Sequence, residues 1–312
     1  MKIIRAEEMG MCFGVRDALK ITDQVSDPTQ VTIHGELVHN PRVIHQLGVA
    51  GFVQSSEAGR DAVTETPVVL ITAHGVSDRE RQRLNSLGKQ VIDTTCPLVR
   101  RAHDAAMQLA AEGRHVLLLG KPGHVEVQGI VEDLESYDVV SDIRAVKKYD
   151  SQFLGIVCQT TMPSHLLEQI REEIKRQNHE ADIKFVDTVC HPTKRRQAAM
   201  MDLVKCVDAV VVVGGRNSNN TRWLADLCQK HGVPALHVTC ADELDDQWFA
   251  GVEVVGLTAG TSTLDSTIDA VHERLGHFAS SDTAVKGSVN PSMPVTGQGV
   301  QAQCSDSGSV QR

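Results

Sequence analysis

Short aliphatic runs alternate with polar, glycine-containing loops and amphipathic stretches along most of this chain. The runs 3–4, 31–33, 68–71, 91–92, 116–119, 154–157, 185–186, 209–213, 236–238 and 252–257 are nearly continuous in apolar residues, which is how strands buried on both faces read. Helical spacing follows many of them. Val15, Ala18, Leu19, Thr22 and Val25 share one face after the first loop, and Leu166, Leu167, Ile170 and Ile174 share another. Strand, loop and helix in repeated succession predict an α/β fold whose parallel sheets are joined by right-handed crossovers.

A faint internal repeat overlies this rhythm. Val91-Ile92-Asp93-Thr94-Thr95-Cys96-Pro97 resembles Phe185-Val186-Asp187-Thr188-Val189-Cys190-His191. In each, a strand leads to Asp-Thr, one residue and a cysteine. Each also follows an earlier strand and polar loop, Thr72-Ala73-His74-Gly75 or Cys158-Gln159-Thr160-Thr161, and Cys12 follows a strand near the N-terminus. Recurrence at roughly 90 residues suggests pseudo-symmetric α/β lobes that each deliver one cysteine to a shared centre. Common descent of α/β units would give the same pattern with no shared site. From about Ser280 onward Ser, Gly, Gln, Val and Pro dominate without periodicity, so residues 280–312 are expected to form a disordered tail. Cys304, within it, reads as an incidental thiol.

Composition narrows the function classes. The 312 residues are 41% hydrophobic but include only two Trp, two Tyr and six Phe, so the core must be aliphatic. Apolar stretches stay too short for a membrane helix, and the start of the chain, Met1-Lys2-Ile3-Ile4-Arg5-Ala6, reads as a strand rather than a signal peptide. A reducing cytoplasm is therefore expected, with the eight cysteines present as thiols or metal ligands. A formal net charge of −9 argues against nucleic acid as a partner. A small anion held by local donors remains compatible with it.

The cysteines divide into two groups. Cys206 and Cys228 fall in helical patterns and Cys240 closes a strand, where a free cysteine usually acts as a small buried hydrophobe. Cys158, beside a polar loop, is ambiguous. Cys12, Cys96 and Cys190 instead sit at strand-to-helix junctions beside Gly, Thr or Pro, where α/β sheets present ligand-binding atoms. No Cys-x-x-Cys pair supports a zinc ribbon or a redox dithiol. Three thiolates suit a soft metal centre, and a cubane held by three cysteines keeps one iron open where four would close it.

Three histidines occupy comparable loops: His39, His74 and His124, the last in Gly120-Lys121-Pro122-Gly123-His124-Val125-Glu126. One such histidine is ordinarily a surface or capping residue, but three at equivalent strand ends could offer donors to a diphosphate. Gly214-Gly215-Arg216-Asn217-Ser218-Asn219-Asn220-Thr221 and Thr258-Ala259-Gly260-Thr261-Ser262 likewise follow strands and open helices. Plain N-capping explains either loop by itself, while both together would bind phosphate oxygens. Glu126, two residues after His124, is the natural proton donor for such a pocket.

Taken together, these motifs resemble the LytB family of 4-hydroxy-3-methylbut-2-enyl diphosphate reductases from residue 3 to about 268. The resemblance is carried by Cys12-Phe13-Gly14-Val15, Glu36-Leu37-Val38-His39-Asn40, Ala73-His74-Gly75-Val76 and Asp93-Thr94-Thr95-Cys96-Pro97-Leu98-Val99, then by His124-Val125-Glu126, Gln159-Thr160-Thr161, Asp187-Thr188-Val189-Cys190, Asn217-Ser218-Asn219-Asn220 and Thr258-Ala259-Gly260-Thr261-Ser262. It implies three α/β lobes with small, mostly parallel sheets around a central iron–sulfur site, at 14–96, 97–189, and 1–13 with 190–279. It implies one [4Fe–4S] cluster on Cys12, Cys96 and Cys190, with the substrate's allylic hydroxyl at the open iron. His39, His74, His124, Ser218, Asn219, Asn220 and Ser262 would hold the diphosphate. Glu126 would deliver protons, with Thr160 near the hydroxyl, and the products would be isopentenyl and dimethylallyl diphosphates. With no flavin or nicotinamide fingerprint in the chain, electrons are expected from a separate ferredoxin or flavodoxin-type protein; a monomer is expected.

Three positions depart from the family pattern. Asn219 stands where Ser is usual, Val125 where Pro is usual, and His191-Pro192-Thr193-Lys194 replaces an aromatic-Ala-Thr-Thr run. A divergent paralogue acting as a [4Fe–4S] dehydratase or an iron–sulfur redox sensor is the alternative expectation.

Overall fold

The computed structural model describes residues 1–57 and 65–281. Twelve strands and nine α-helices alternate among these residues. They fall into two compact units, Met11–Gln197, and Met1–Gly10 with the segment from Ala198 onward.

The Met11–Gln197 unit carries two four-stranded sheets. The first contains β2 (Val31–His34), β3 (Val53–Gln54), β4 (Val68–Ile71) and β5 (Gln90–Asp93) in the order β3-β2-β4-β5. The second contains β6 (His115–Leu119), β7 (Tyr137–Val140), β8 (Phe153–Cys158) and β9 (Asp182–Phe185) in the order β7-β6-β8-β9. The helices between them are α1 (Phe13–Asp23), α2 (Pro41–Val49), α3 (Asp78–Ser86), α4 (Pro97–Ala111), α5 (Val125–Val131) and α6 (Ser164–Gln177), and α7 (His191–Leu203) continues into the other unit. That unit has a single sheet, ordered β1 (Lys2–Arg5), β12 (Val254–Ala259), β10 (Ala209–Val213) and β11 (Ala235–Val238), with α8 (Asn219–Lys230) and α9 (Asp265–Ser281).

Every pairing in the three sheets is parallel. The α/β fold with small parallel sheets expected from the alternating pattern is therefore the fold observed. Central strands are buried on both faces because helices cover both. Val210 to Val213 and Val116 to Leu119 are each fully buried, and such side chains contribute about 1.5–3 kcal/mol apiece. Gly155 of β8 shows how tightly a helix seats. A Cβ there would lie 2.9 Å from Leu109 of α4, so the missing side chain is what lets α4 reach the sheet.

Two edge strands, β3 and β7, had no clear aliphatic run to announce them. Val53-Gln54 is only two residues long, and Tyr137-Asp138-Val139-Val140 carries a charge that pairs with Lys147 at 2.8 Å. β9 lies earlier than residues 185–186, where the apolar pair suggested it, because Asp182 to Phe185 pair with Phe153 to Ile156. Cys206 is exposed rather than buried in a helix: α7 ends at Leu203, and the thiol donates to the Leu203 carbonyl at 3.3 Å. α9 runs to Ser281, just past the expected start of the tail. Cys304 and the rest of the expected tail lie outside the described residues. Among the described residues, no helix is long and apolar enough to cross a membrane.

Parallel sheets send all their strand ends one way, and loops at the carboxyl ends are where ligands are met. Each singled-out residue lies just beyond such an end. His39 follows β2, His74 follows β4, Cys96 follows β5, Glu126 follows β6, Thr160 follows β8, Cys190 follows β9, and Ser218 and Ser262 follow β10 and β12.

Candidate functional site

The Asp-Thr-x-Cys repeat is two copies of one hydrogen-bonded turn. Asp93 Oδ1 accepts from Thr95 N at 3.0 Å, and Asp187 Oδ1 accepts from Val189 N at 3.1 Å. The buried Thr94 hydroxyl donates to Ile71 O at the end of β4, and the Thr188 hydroxyl donates to Cys158 O at the end of β8. Cys96 N then donates to Ala73 O at 3.1 Å, and Cys190 N to Thr160 O at 2.9 Å. Each cysteine is thereby pinned to the loop of the neighbouring strand, the loop that carries His74 in one copy and Thr160 in the other.

All three singled-out cysteines sit immediately before a helix: Cys12 before α1, Cys96 before α4 and Cys190 before α7. Neither the Cys12 nor the Cys96 side chain caps its helix, while Cys190 Sγ donates to Thr193 Oγ1 at 3.0 Å. Gly14 brings two of the segments together. A Cβ on Gly14 would stand 2.5 Å from Cys96 Sγ and 3.1 Å from Cys96 Cβ. Burial raises the Cys96 thiol pKa, partly offset by the Leu98 and Val99 N–H groups, and burial pushes Cys190 up to about 11. Both are neutral thiols near pH 7, so a metal must displace their protons as it binds.

The thiol set suits a polynuclear centre better than a single ion. Zinc at about 2.3 Å from each sulfur would draw thiolates to about 3.8 Å from one another. Among the described residues, no group of side chains with ligand atoms all within 4.8 Å of one another includes a cysteine. Three soft thiols are donors of the type that an iron–sulfur cluster takes.

His39, His74 and His124 do converge within 4.8 Å. The His39 and His74 rings stack at 4.4 Å between centroids, and His124 meets both edge-on, at 5.4 and 5.6 Å. Hydrogen bonding assigns the protons of two of them. Glu36 Oε2 lies 2.8 Å from His39 Nδ1, and a carboxylate only accepts, so that nitrogen carries hydrogen. Glu126 N donates to His124 Nδ1 at 3.2 Å, so the neutral ring holds its proton on Nε2 and is a donor there. A metal could take His124 Nε2 only after that proton left, whereas an anion is served by it directly. The histidine cap also holds α5 at its start, so Val125 keeps the segment ordered without proline.

Glu126 is the most unusual acid of the unit. It is buried, with Oε1 accepting from Thr160 N at 2.6 Å and Oε2 from the Thr160 hydroxyl at 2.9 Å. Burial raises its pKa to about 7, against the opposing pull of those two bonds. The α5 segment that bears it is clamped to the His74 loop. Gly129 packs against the Val76 backbone, where a Cβ would lie 3.4 Å away. Just past α5, Asp133 accepts from Asp78 N at 2.6 Å, Arg79 N at 3.1 Å and His103 Nε2 at 2.8 Å.

Ser218, Asn219, Asn220 and Ser262 belong to the other unit, beyond the ends of its adjacent strands β10 and β12. Ser218 caps α8 through Thr221 N at 3.3 Å, Asn219 accepts from Arg222 at 2.6 Å, and all four residues are buried. The buried Asn220 Nδ2 has no hydrogen-bond partner, which suits a group waiting for a polar ligand. Several supporting residues escaped the sequence reading. Gly14 and Thr193 touch cysteines, Glu36 orients His39, and the buried Gln159 accepts from Lys121 N at 3.0 Å. Each lies in a motif already singled out, and only contact distances reveal what it does.

The sequence profile of the LytB protein family matches residues 3–276. The chain belongs to the LytB family. Curated relatives of this LytB chain include 4-hydroxy-3-methylbut-2-enyl diphosphate reductases from Aquifex aeolicus, 33% identical over 88% of this chain and 95% of the relative, and from Geobacter sulfurreducens, 35% identical over 89% and 98%. Among solved structures, the (E)-4-hydroxy-3-methyl-but-2-enyl diphosphate reductase described as the terminal enzyme of the non-mevalonate pathway is 32% identical, with a TM-score of 0.62 over 88% of the LytB chain and 99% of its own. The Plasmodium falciparum reductase, 24% identical, shares the fold with a TM-score of 0.80 over 87% of each chain.

Proposed function

We propose that this protein removes the allylic hydroxyl of 4-hydroxy-3-methylbut-2-enyl diphosphate reductively, giving isopentenyl and dimethylallyl diphosphates, with a [4Fe–4S] cluster on Cys12, Cys96 and Cys190. The main support is that one compact unit, Met11–Gln197, carries the three thiols, the three converging imidazoles and the buried Glu126–Thr160 pair. A bound cluster supplies the electrons. Overall one C–O bond breaks, one C–H bond forms, and two electrons and two protons leave one product and one water.

The remaining work falls to side chains. His124 presents its Nε2–H to the diphosphate, with His39 and His74 converging beside it. The protonated Glu126 donates toward the departing oxygen, and the Thr160 hydroxyl holds that carboxyl in place. The electrons arrive from a separate one-electron carrier.

The test is an anaerobic assay with the hydroxylated allylic diphosphate and a strong artificial reductant, following consumption of the reductant. Two reducing equivalents per product are expected. Product formed without reductant would identify a dehydratase instead, and no reaction at all would remove the assignment.

Gly14 provides a finer test. Gly14→Ala places a methyl group where Cys96 Sγ lies 2.5 Å away, and cysteine is too short to swing clear. Iron content should fall several-fold while far-ultraviolet circular dichroism stays unchanged. Full iron loading in that variant would show that the α1 start can move away from Cys96 at little cost.

A further inference from the structure

Glu126 gives up its proton in the reaction proposed above and has to regain one before it can act again. It is 2% exposed, and Thr160 engages both of its carboxyl oxygens. Glu126 also borders a small cavity, shared with Arg81 of α3, with Val99, Arg100 and His103 of α4, and with Ile130 of α5. The cavity has room for about one water. Its lining extends to solvent at Arg100, whose side chain is 41% exposed.

Two of the lining residues carry a buried nitrogen with no hydrogen-bond partner, His103 Nδ1 and Arg81 Nε. Such groups call for a polar occupant, and these two are complementary. Arg81 Nε–H is a donor, and His103 Nδ1 is an acceptor because of what lies on the far side of the ring. His103 Nε2 stands 2.8 Å from Asp133 Oδ2, and both side chains are 5% exposed. Burial works to raise the Asp133 pKa, but the N–H groups of Asp78, His103 and Arg79 outweigh it and hold the carboxyl below its ordinary value. Asp133 is therefore an ionised acceptor, the ring proton sits on Nε2, and the neutral imidazole keeps a lone pair on Nδ1. The remaining charges around the cavity are matched. Asp104 lies 3.9 Å from His103 Nδ1, Arg100 pairs with Asp78 and Asp104 at 2.8 and 3.1 Å, and Arg81 bonds to Asp93.

We propose that the His103–Asp133 pair resupplies Glu126 with protons: water in the cavity delivers a solvent proton to His103 Nδ1, and the imidazolium, held by Asp133, passes it to the Glu126 carboxylate. The proposal rests on the reductase reading, in which Glu126 is the acid that is spent. A hydronium proton binds Nδ1. The same nitrogen then releases a proton through water to a Glu126 oxygen, and the ring returns to its neutral form with no net change in the pair. A histidine whose second nitrogen is fixed by a carboxylate is suited to such a shuttle. His103 acts through Glu126 rather than on the substrate. The competing role, a donor that merely steadies Asp133 at the start of α3, needs only the Nε2–H.

The experiment uses the cluster-loaded protein and two readouts. The first is rapid-mixing infrared spectroscopy of the Glu126 carboxyl as it exchanges its proton in D₂O, at a pH below about 7, where the group is protonated. Glu126→Gln identifies the band by its loss. His103→Gln keeps an N–H for Asp133 but cannot carry a proton, and should slow this exchange about ten-fold. The second is turnover of the allylic diphosphate with an artificial reductant. In His103→Gln, kcat should fall about ten-fold while KM stays within about two-fold, and the solvent deuterium effect on kcat should rise. His103→Ala should show the same losses, and added imidazole should restore most of its kcat. Iron content and far-ultraviolet circular dichroism should match wild type in both variants.

Wild-type exchange in His103→Gln would overturn the proposal, as would wild-type turnover in that variant or a loss in His103→Ala that imidazole leaves unchanged. Absence of turnover in the wild type would overturn the reductase assignment instead, with the infrared exchange still deciding whether His103 feeds Glu126.

Discussion

Cys96→Ala should yield protein that folds but carries essentially no iron, where the anaerobically purified wild type carries about four irons and four sulfides per chain. Turnover should fall below detection. Cys96 lies against Gly14, before α4, and its backbone is pinned to Ala73 O at 3.1 Å. A three-ligand centre has no spare thiolate to substitute. Cys158 is fully buried at the end of β8, where burial keeps its thiol protonated far above neutral pH, and Cys228 and Cys240 lie in the other unit. The truncation removes little apolar volume, so the unfolding midpoint of the metal-free variant should match that of metal-free wild type. Zinc in place of iron in the wild-type protein, or iron retained by the variant, would defeat the assignment.

Glu126→Gln separates proton delivery from everything else. The cluster should remain and substrate should bind, while turnover drops about 10²–10⁴-fold, the usual contribution of a positioned general acid. The amide keeps an oxygen for Thr160 N, and the Thr160 hydroxyl can reverse its role to accept from the amide nitrogen. The sign of the pH dependence follows from burial. With its pKa raised to about 7, Glu126 is a protonated donor below that value and loses the donating form above it. Wild-type kcat/KM should therefore decline as pH climbs past about 7, by up to ten-fold per unit. The variant should lack that decline. The same raised pKa makes the ionised carboxylate a burden on the fold above about pH 4.5, so the variant should be at least as stable as wild type near pH 8. Unchanged turnover would take Glu126 out of the mechanism.

Much of this was readable from the chain because strands covered on both faces need continuous apolar runs. Residues 209–213 and 116–119 could not be mistaken. The edge strands β3 and β7 were missed because an edge needs no such run, and β9 was shifted because Lys184 interrupts its apolar residues. The cysteines, histidines and Glu126 stood out because each chemical type sits just beyond a strand. Contacts between distant segments left no such trace. The approach of Gly14 to Cys96, the Phe13–His191 stack and the Asp133 clamp each join residues more than 50 positions apart, and no local pattern records them. Cys206 misled because its helical spacing continues past the true end of α7.

The pairing of β1 with β12 bears on the order in which this protein can mature. Lys2 to Arg5 align with Val254 to Leu257, so β1 must wait for a strand made much later. Met11–Gln197, with all three thiols, needs nothing later in the chain to complete its own two sheets. During synthesis the two sheets of that unit can form while the strand ahead of it is still unmatched. A ribosome stalled after Gln197 has emerged should thus display a nascent chain already able to take up iron.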